Sequence, residues 1–491
     1  MRSNASAWVV GGAVVMFAVA SASAVDDSLV DAVRSGNSAA LRSLLRNTDV
    51  NRPQPDGTTA LHWAALLDDL AAADLLLGAG AKVDVADDYG VTPLSLASTN
   101  GSAAMIERLL KAGANPNAAL PGGETPLMTA ARTGRADAVQ ILLAKKADVT
   151  ARETEKGQTA LMWAAAEGHK DVIGLLIAHG AGVHERSKAG FTPLLFAARN
   201  GDIDTARALL TAGARVNDVA TDGTSPLLVA TIRGHLELAE MLLTGGADPN
   251  AGPGFTPLHW AAGRWDSEFT DATTGITGAN TEWSSLGGLR GQHKIDFVKT
   301  LLDHGADPNA RAATNPRYQG GGRGGNLAGG TPFLMAAKAG DAHTMRVLLA
   351  RGADPSLMTN RKTTTLMAAA GLASGQGSEI ATAGALDAVR LAFETGAEVN
   401  AINADGDTAL HGAASTGWDA AVQFLVDAGA RLNVKNSRKW TALTVAEGVY
   451  DILGAANFNQ YPSTAALLRK FGAEPSPPDI QRDATALDIE R

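Results

Sequence analysis

The sequence has no cysteine among its 491 residues, and aromatic residues make up only 5% of it. Without cysteine there is no disulfide, thiolate metal ligand or cysteine nucleophile, so stability must come from packing alone. Basic residues are also in the minority, with 42 Lys and Arg against 51 Asp and Glu, and the formal net charge is −9. This balance argues against a nucleic-acid-binding protein, which would be expected to carry a basic stripe.

Long hydrophobic runs are scarce as well, and the one that stands out is near the N-terminus. Arg2 precedes the apolar run 8–20, and small residues follow at 22–24. This order predicts a signal peptide over residues 1–24 and an exported chain, periplasmic or extracellular. The alternative, a retained anchor, is disfavoured because about twenty apolar residues are needed to span a bilayer. We therefore expect no membrane span after cleavage. The style of this signal and the Ala/Gly-rich composition suggest a bacterial protein.

What the sequence does contain is one pattern repeated along most of its length, of which Gly190–Asn217 is a clear copy. Thr192 suits a helix N-cap, and Pro193 suits the first helical position. A short apolar helix follows and is broken at Gly201. A second helix then carries an apolar stripe at helical spacing until Gly213 ends it. Each unit is therefore predicted to be turn, helix, turn, helix.

The same opening recurs mostly at intervals of 33 residues, at Thr59, Thr92, Thr125, Thr159, Thr192, Ser225, Thr256, Thr331, Thr364, Thr408 and Thr441. With TPLH-type openings such as 256–259 and Gly-Ala-Asp-Pro-Asn endings such as 246–250, the chain resembles the ankyrin-repeat family over roughly residues 26–474. The departures are small, such as Ser225 for Thr and Thr365 for Pro. The resemblance implies an all-α ankyrin solenoid of about twelve stacked helix-turn-helix repeats with short turn fingers. It also implies a protein-interaction scaffold without a reaction of its own.

The regularity changes along the chain and suggests its organisation. We expect an N-terminal capping repeat over 25–56, regular repeats over 57–255, repeats with insertions over 256–474, and a C-terminal tail over 475–491. Insertions in repeat proteins often lie on the binding face. The insertions are expected at 263–293, 311–330, 371–384 and 448–463.

The ten histidines and the glycine-rich stretches are the parts of the sequence that a metal, phosphate or catalytic site would use. No HExxH motif, carboxylate cluster, Gly-Lys-Ser/Thr ending or G-x-S-x-G elbow is present. We therefore expect no catalytic residue, no cofactor and no metal, and the glycine run 320–325 is interpreted as a linker. By the resemblance, His62, His259 and His411 bond into the turn network between repeats.

The candidate binding residues follow the inner-helix alanines, at two positions per repeat that face the concave groove in an ankyrin stack. They supply a cationic ribbon with one neighbouring amide: Arg132, Arg199, Asn200, Arg233, Arg264 and Lys338. The functional interpretation is an acidic partner in the groove. The alternative is that arginine is common at this place in ankyrin repeats and only solvates the face.

Tryptophans supply the other candidates. Trp63, Trp163 and Trp260 share one repeat position and are predicted to be core. Trp265 and Trp283 lie in the first insertion instead. They either fold that insertion back onto the solenoid or present an aromatic platform for a partner or a sugar.

The leading hypothesis is an exported, monomeric, non-enzymatic scaffold that holds a protein partner with its groove and its C-terminal insertions. One alternative is a small-ligand or carbohydrate site, with or without weak catalysis, built by the inserted loops. A second alternative is a secreted effector that acts in a host.

Overall fold

The computed structural model describes residues 28–263, 291–313, 327–372, 384–448 and 460–476. All regular secondary structure in these ranges is α-helical, and the 24 helices follow one another in twelve pairs. We call the first helix of each pair inner and the second outer. The all-α repeat architecture expected from the sequence is confirmed. The expected signal peptide, most of the tail and the centres of all four insertions lie outside the described residues.

The helices are α1 Leu29–Arg34, α2 Ser38–Leu44, α3 Ala60–Leu66, α4 Leu70–Gly78, α5 Pro93–Asn100, α6 Ala103–Lys111, α7 Pro126–Thr133, α8 Ala136–Ala144, α9 Ala160–Glu167, α10 Lys170–Ala178, α11 Pro193–Asn200, α12 Ile203–Thr211, α13 Pro226–Arg233, α14 Leu236–Thr244, α15 Pro257–Ala262, α16 Gly291–Asp303, α17 Pro332–Lys338, α18 Ala342–Ala350, α19 Thr365–Ala369, α20 Ala385–Glu394, α21 Ala409–Ser415, α22 Asp419–Asp427, α23 Ala442–Ala446 and α24 Pro462–Lys470.

The pair α11 and α12 shows why these residues form this unit. The Thr192 side chain accepts a hydrogen bond from the Leu195 amide and caps α11, whose first residue is a proline. Gly201 ends α11 with φ of 73°, a left-handed conformation that side chains with a Cβ disfavour. The Asp202 side chain then accepts from the Thr205 amide and starts α12 at once. Two caps and one glycine therefore turn the chain back on itself within a few residues.

The core lies between successive repeats, because inner helices pack on inner helices and outer helices on outer helices. Most outer helices carry a leucine pair, and in most of the regular repeats the first member is fully buried, as at Leu142 and Leu209. The second member lies nearer the surface, and Leu210 is only partly buried. In these pairs the first leucine therefore contributes more buried surface to the stacking of repeats than the second.

Between pairs the chain forms a short turn that projects beside the inner helices, which we call a finger. Asparagine side chains tie each finger to the next: the Asn217 amide donates to the Gly246 carbonyl and its oxygen accepts from the Asp248 amide at 2.8 Å. Asn250 makes the equivalent bonds to the following finger. The fingers are thus held at the same spacing as the helices.

One turn position, two residues before each helix cap, has a positive φ in every finger that the structure describes. Nine of these residues are glycine: Gly57, Gly90, Gly123, Gly157, Gly190, Gly223, Gly254, Gly329 and Gly406. The other two are Lys362, with φ of 59°, and Lys439, with φ of 63°. Two lysines therefore adopt a backbone conformation that strongly favours glycine.

Within the described part of the chain, no helix has both the length and the apolar character to cross a membrane.

Candidate functional site

The inner helices and the fingers share one face, which we call the groove face and define by the residue four places after each helix cap. This residue is aromatic at Trp63, Trp163, Phe196 and Trp260. Contacts to finger residues show on which side it lies. The indole nitrogen of Trp63 donates to Gln54 at 3.2 Å, and the rings of Phe196 and Phe191 are 5.7 Å apart. The groove face is therefore lined with aromatic rings at the height of the fingers.

Arginines lie over three of these rings. The Arg132 guanidinium is 5.1 Å from the ring centroid of Trp163 in the next repeat. The Arg34 guanidinium is 4.7 Å from the Trp63 ring, and that of Arg199 is 5.3 Å from the Phe196 ring. A guanidinium stacked on a ring keeps the N–H groups of its edge directed outward, where they match a carboxylate. These pairs hold planar cations in fixed places on the groove face.

The carboxylate nearest to Arg132 does not neutralise it. Glu124, which precedes the cap of the same helix, lies 3.8 Å away, and 42% of the Arg132 side chain is exposed. An exposed pair at that distance contributes only about 0–1 kcal/mol. The cation therefore remains accessible to a carboxylate from outside.

Sequence models of known families decide the classification. The model described as "Ankyrin repeats (3 copies)" matches residues 29–119, 119–187, 167–253, 194–269 and 378–455. A second, "Ankyrin repeat", matches residues 328–360. The chain belongs to the ankyrin-repeat family.

Among solved structures, the human ASB11 ankyrin repeat domain is similar at 29% sequence identity. The match covers 44% of this chain and 96% of that one, with a TM-score of 0.41. The search of curated proteins returned no match. Ankyrin repeats are in general protein–protein interaction scaffolds, which is the class of function that the family supports.

The TPLH histidines of this ankyrin-repeat chain are structural. The Thr256 amide donates to Nδ1 of His259 at 3.1 Å, and Nε2 of His259 faces the Gly330 carbonyl of the next repeat at 3.2 Å. Burial lowers the pKa of His259 to about 4, so the ring is neutral at pH 7. His62 and His411 make the same bonds, and burial lowers the pKa of each. The role that the resemblance implied for all three is confirmed.

The other predicted binding residues lie in different environments. Asn200 donates to the Ala166 carbonyl of the preceding repeat, so its amide ties two repeats together. Arg233 and Lys338 lie in the last turns of α13 and α17 and are only partly exposed. Arg264, Trp265 and Trp283 lie outside the described residues, and their roles remain predictions.

The three tryptophans predicted to be core differ. Trp63 and Trp260 are 9% and 4% exposed, as expected, whereas Trp163 is only partly buried. The indole nitrogen of Trp163 is buried and has no hydrogen-bond partner within the described ranges, whereas that of Trp63 donates to Gln54. Trp163 is therefore partly buried against the core, with the Arg132 guanidinium over its ring.

The groove face changes character in the middle of the stack. Around Trp260 it is filled by a separate apolar cluster: Leu228, Ile232, Phe255, Trp260, Ala312, Leu327, Leu334, Met335 and Ala368. Phe255 stacks on Trp260 at 5.9 Å. Among the described inner helices, the arginines stacked on the groove-face rings therefore lie in the N-terminal half, and the apolar cluster extends from α13 to α19. The sequence indicated the ribbon of cations, but it did not indicate this division.

Described residues offer no group of three or more His, Asp or Glu side chains arranged to hold a metal ion.

Proposed function

We propose that this ankyrin-repeat protein is an exported, non-enzymatic scaffold whose groove face binds an acidic segment of a protein partner. The observation that carries the proposal is the pair of stacked arginines in the regular repeats, Arg132 on Trp163 and Arg199 on Phe196. Both side chains are positioned before binding, so little conformational entropy is lost when a carboxylate arrives. Arginine and aromatic residues are also the types that dominate binding energy at protein interfaces.

Charge supports an acidic partner. The chain as a whole has a formal net charge of −9, so an acidic protein is repelled from most of its surface. The inner helices α7, α11 and α13 carry Arg132, Arg199 and Arg233 in their last turns and contain no Asp or Glu, and the one acidic residue of α9 between them is Glu167. This contrast directs an acidic segment to the groove face and raises its association rate.

Export belongs to the same proposal and is supported by the sequence of the first 24 residues. Cell fractionation followed by N-terminal sequencing of the purified chain tests it. A mature chain that begins at Val25 and is recovered from the envelope or the medium is the expected result. A cytoplasmic chain with an intact N-terminus would contradict it.

The test of binding is crosslinking in cells with a tagged full-length chain, followed by purification and mass spectrometry. One stoichiometric protein is expected with the wild type and should be lost with R132E/R199E. The matched control is R207E/R346E, which makes the same charge change at exposed positions on the outer helices α12 and α18. Recovery that is equal for both double variants would overturn the groove proposal. Recovery of no protein from a folded chain would favour the ligand hypothesis and a screen of the inserted segments.

A further inference from the structure

The last finger of the stack, residues 428–441, has a charge unlike the rest of the chain. It contains four basic residues, Arg431, Lys435, Arg438 and Lys439, and no acidic residue, in a protein of formal net charge −9. All four side chains are exposed. No carboxylate in the described ranges forms an ion pair with Arg431, Lys435 or Lys439, which leaves a dense positive charge on one short turn.

One of these cations is held at a cost in backbone energy. Lys439 has φ of 63° at the turn position where nine other fingers have glycine. A non-glycine residue is disfavoured there, and such strain collects at sites where the side chain has a function. Lys362 shares this strain, so what distinguishes Lys439 is its place among four exposed cations on one finger.

The finger presents its cations on a rigid frame. The Asn436 side chain accepts from the Arg438 and Trp440 amides at 3.0 Å, and it donates to Asp407 of the preceding finger at 2.7 Å. Nε2 of His411 faces the Trp440 carbonyl at 3.0 Å. A binding surface fixed in this way loses little entropy on association.

An aromatic ring completes the surface. The Arg438 guanidinium lies 5.1 Å from the ring centroid of Trp440, and the ring is only partly buried. Within this one finger, an arginine therefore stacks on a tryptophan as Arg132 does on Trp163, and three further cations lie in the same turn.

The neighbouring finger shows what kind of anion fits. Residues 395–408 carry Glu398, Asp405 and Asp407 and no basic residue, and Arg361 of the finger before it pairs with Asp405 alone, so a net negative charge remains. Fingers of successive repeats are about 10 Å apart, the spacing of packed helices. A flat anionic membrane or a long nucleic acid would meet both fingers and be repelled by the acidic one. At physiological ionic strength, interactions between exposed charges are screened beyond about 8 Å. A narrow anion bound to the basic finger therefore interacts only weakly with the acidic finger.

We infer that finger 428–441 is a second docking site, separate from the stacked arginines of α7 and α11, that binds a short acidic polypeptide segment. Its carboxylates contact Lys435 and Lys439, and a side chain of the segment packs on the exposed part of Trp440. Arg132 and Arg199 lie in the fourth and sixth helix pairs, and this finger lies between the eleventh and the twelfth, so the two sites are separated by several repeats.

The test uses the full-length chain and a fluorescein-labelled peptide of alternating Glu and Gly, with its binding followed by anisotropy. Wild type is expected to bind at low ionic strength and to lose affinity as salt is added. K435Q/K439G should weaken binding roughly fivefold, as expected for two exposed charges. The same variant should unfold at a higher temperature, because glycine relieves the strain at position 439.

Three comparisons make the result decisive. K362G removes the other strained lysine and its charge, so it should gain stability without losing peptide affinity. In the R132E/R199E background, where the groove arginines no longer bind the peptide, K435Q/K439G should still weaken binding by the same factor, which separates this site from the groove arginines. Unchanged peptide affinity in K435Q/K439G would overturn the inference, and so would an equal loss in K362G. Binding of phosphatidylserine vesicles or single-stranded DNA with the same dependence on Lys435 and Lys439 would overturn it too, since the site would then not select a polypeptide.

Discussion

The ammonium nitrogen of Lys294 lies 2.9 Å from a carboxylate oxygen of Asp341 in the next repeat, and the Lys294 side chain is only 6% exposed. The same nitrogen donates to the carbonyls of Ala262 and Gly263 at 2.9 and 3.2 Å. Gly263 follows α15 in an extended conformation, unlike the left-handed glycines that end α11 and α13. The lysine therefore supplies the hydrogen bonds that a left-handed cap would otherwise make.

Replacing Lys294 with Met should lower the free energy of unfolding by about 3 kcal/mol, because a mostly buried carboxylate and two carbonyls lose their donor. Burial raises the pKa of Asp341, but the Lys294 charge and the hydrogen bonds from Thr344 lower it by a larger amount. The net pKa of Asp341 is therefore below its ordinary value. In K294M the Asp341 pKa should rise. Urea unfolding measures the change in the free energy of unfolding, and NMR titration of the carboxyl group measures the Asp341 pKa. D341N keeps the cap oxygen of α18 and serves as the partner variant in a double-mutant cycle. A coupling energy near zero would show that the pair does not stabilise the stack.

Stability should fall as the pH drops from about 6.5 to about 4, because of His259. Its folded pKa of about 4 lies below the ordinary value of 6.5, so the unfolded state binds the proton first. The contribution is fully present above pH 6.5 and is about 2 kcal/mol smaller at pH 5. His62 and His411 act in the same direction.

The measurement is urea unfolding at pH 7 and pH 5 for the wild type and H259S. Serine occupies the equivalent place at Ser95, where it accepts from the Thr92 amide, so the variant keeps that bond. A smaller pH dependence is expected in H259S. If both proteins lost the same stability between pH 7 and pH 5, the pH dependence would not come from His259.

The stacking of Arg132 on Trp163 should contribute about 0.5–1 kcal/mol, as is usual for a partly exposed cation–π pair. A double-mutant cycle with R132A and W163L, followed by chemical denaturation, measures the coupling. R207A, on the outer helix α12, is the control and should be nearly neutral. Coupling indistinguishable from zero would mean that the ring does not position the guanidinium, which would also weaken the proposal for the groove face.

Leu142→Asp should destabilise the protein by about 4 kcal/mol or more, because Leu142 is 0% exposed between repeats and a carboxylate there has no partner. In a one-dimensional stack the loss passes to neighbouring repeats. Amide hydrogen exchange should therefore show faster exchange in α6, α8 and α10 than in α22. Leu67→Asp, at a position 50% exposed, is the control. A circular dichroism melt of L142D that matches the wild type would contradict the prediction.

Local sequence determined the repeat. The Thr192 cap, Pro193 at the first helical position and Gly201 at the helix end act over a few residues, so a single copy of the pattern predicts both helices. The 33-residue period then places the inner helices side by side and predicts the line of cations that includes Arg132 and Arg199. This part of the fold and of the site needs no knowledge of distant contacts.

Tertiary structure alone decided what those residues do. Asn200 and Arg199 are adjacent in sequence, yet Asn200 ties two repeats together and Arg199 stacks on Phe196. Lys294 forms an ion pair with Asp341, and Trp260 packs in one cluster with Leu327. Both contacts form across segments whose length varies from repeat to repeat. These contacts depend on how far the insertions displace the chain before the next helix packs. The period does not contain that information, because it describes only the regular copies.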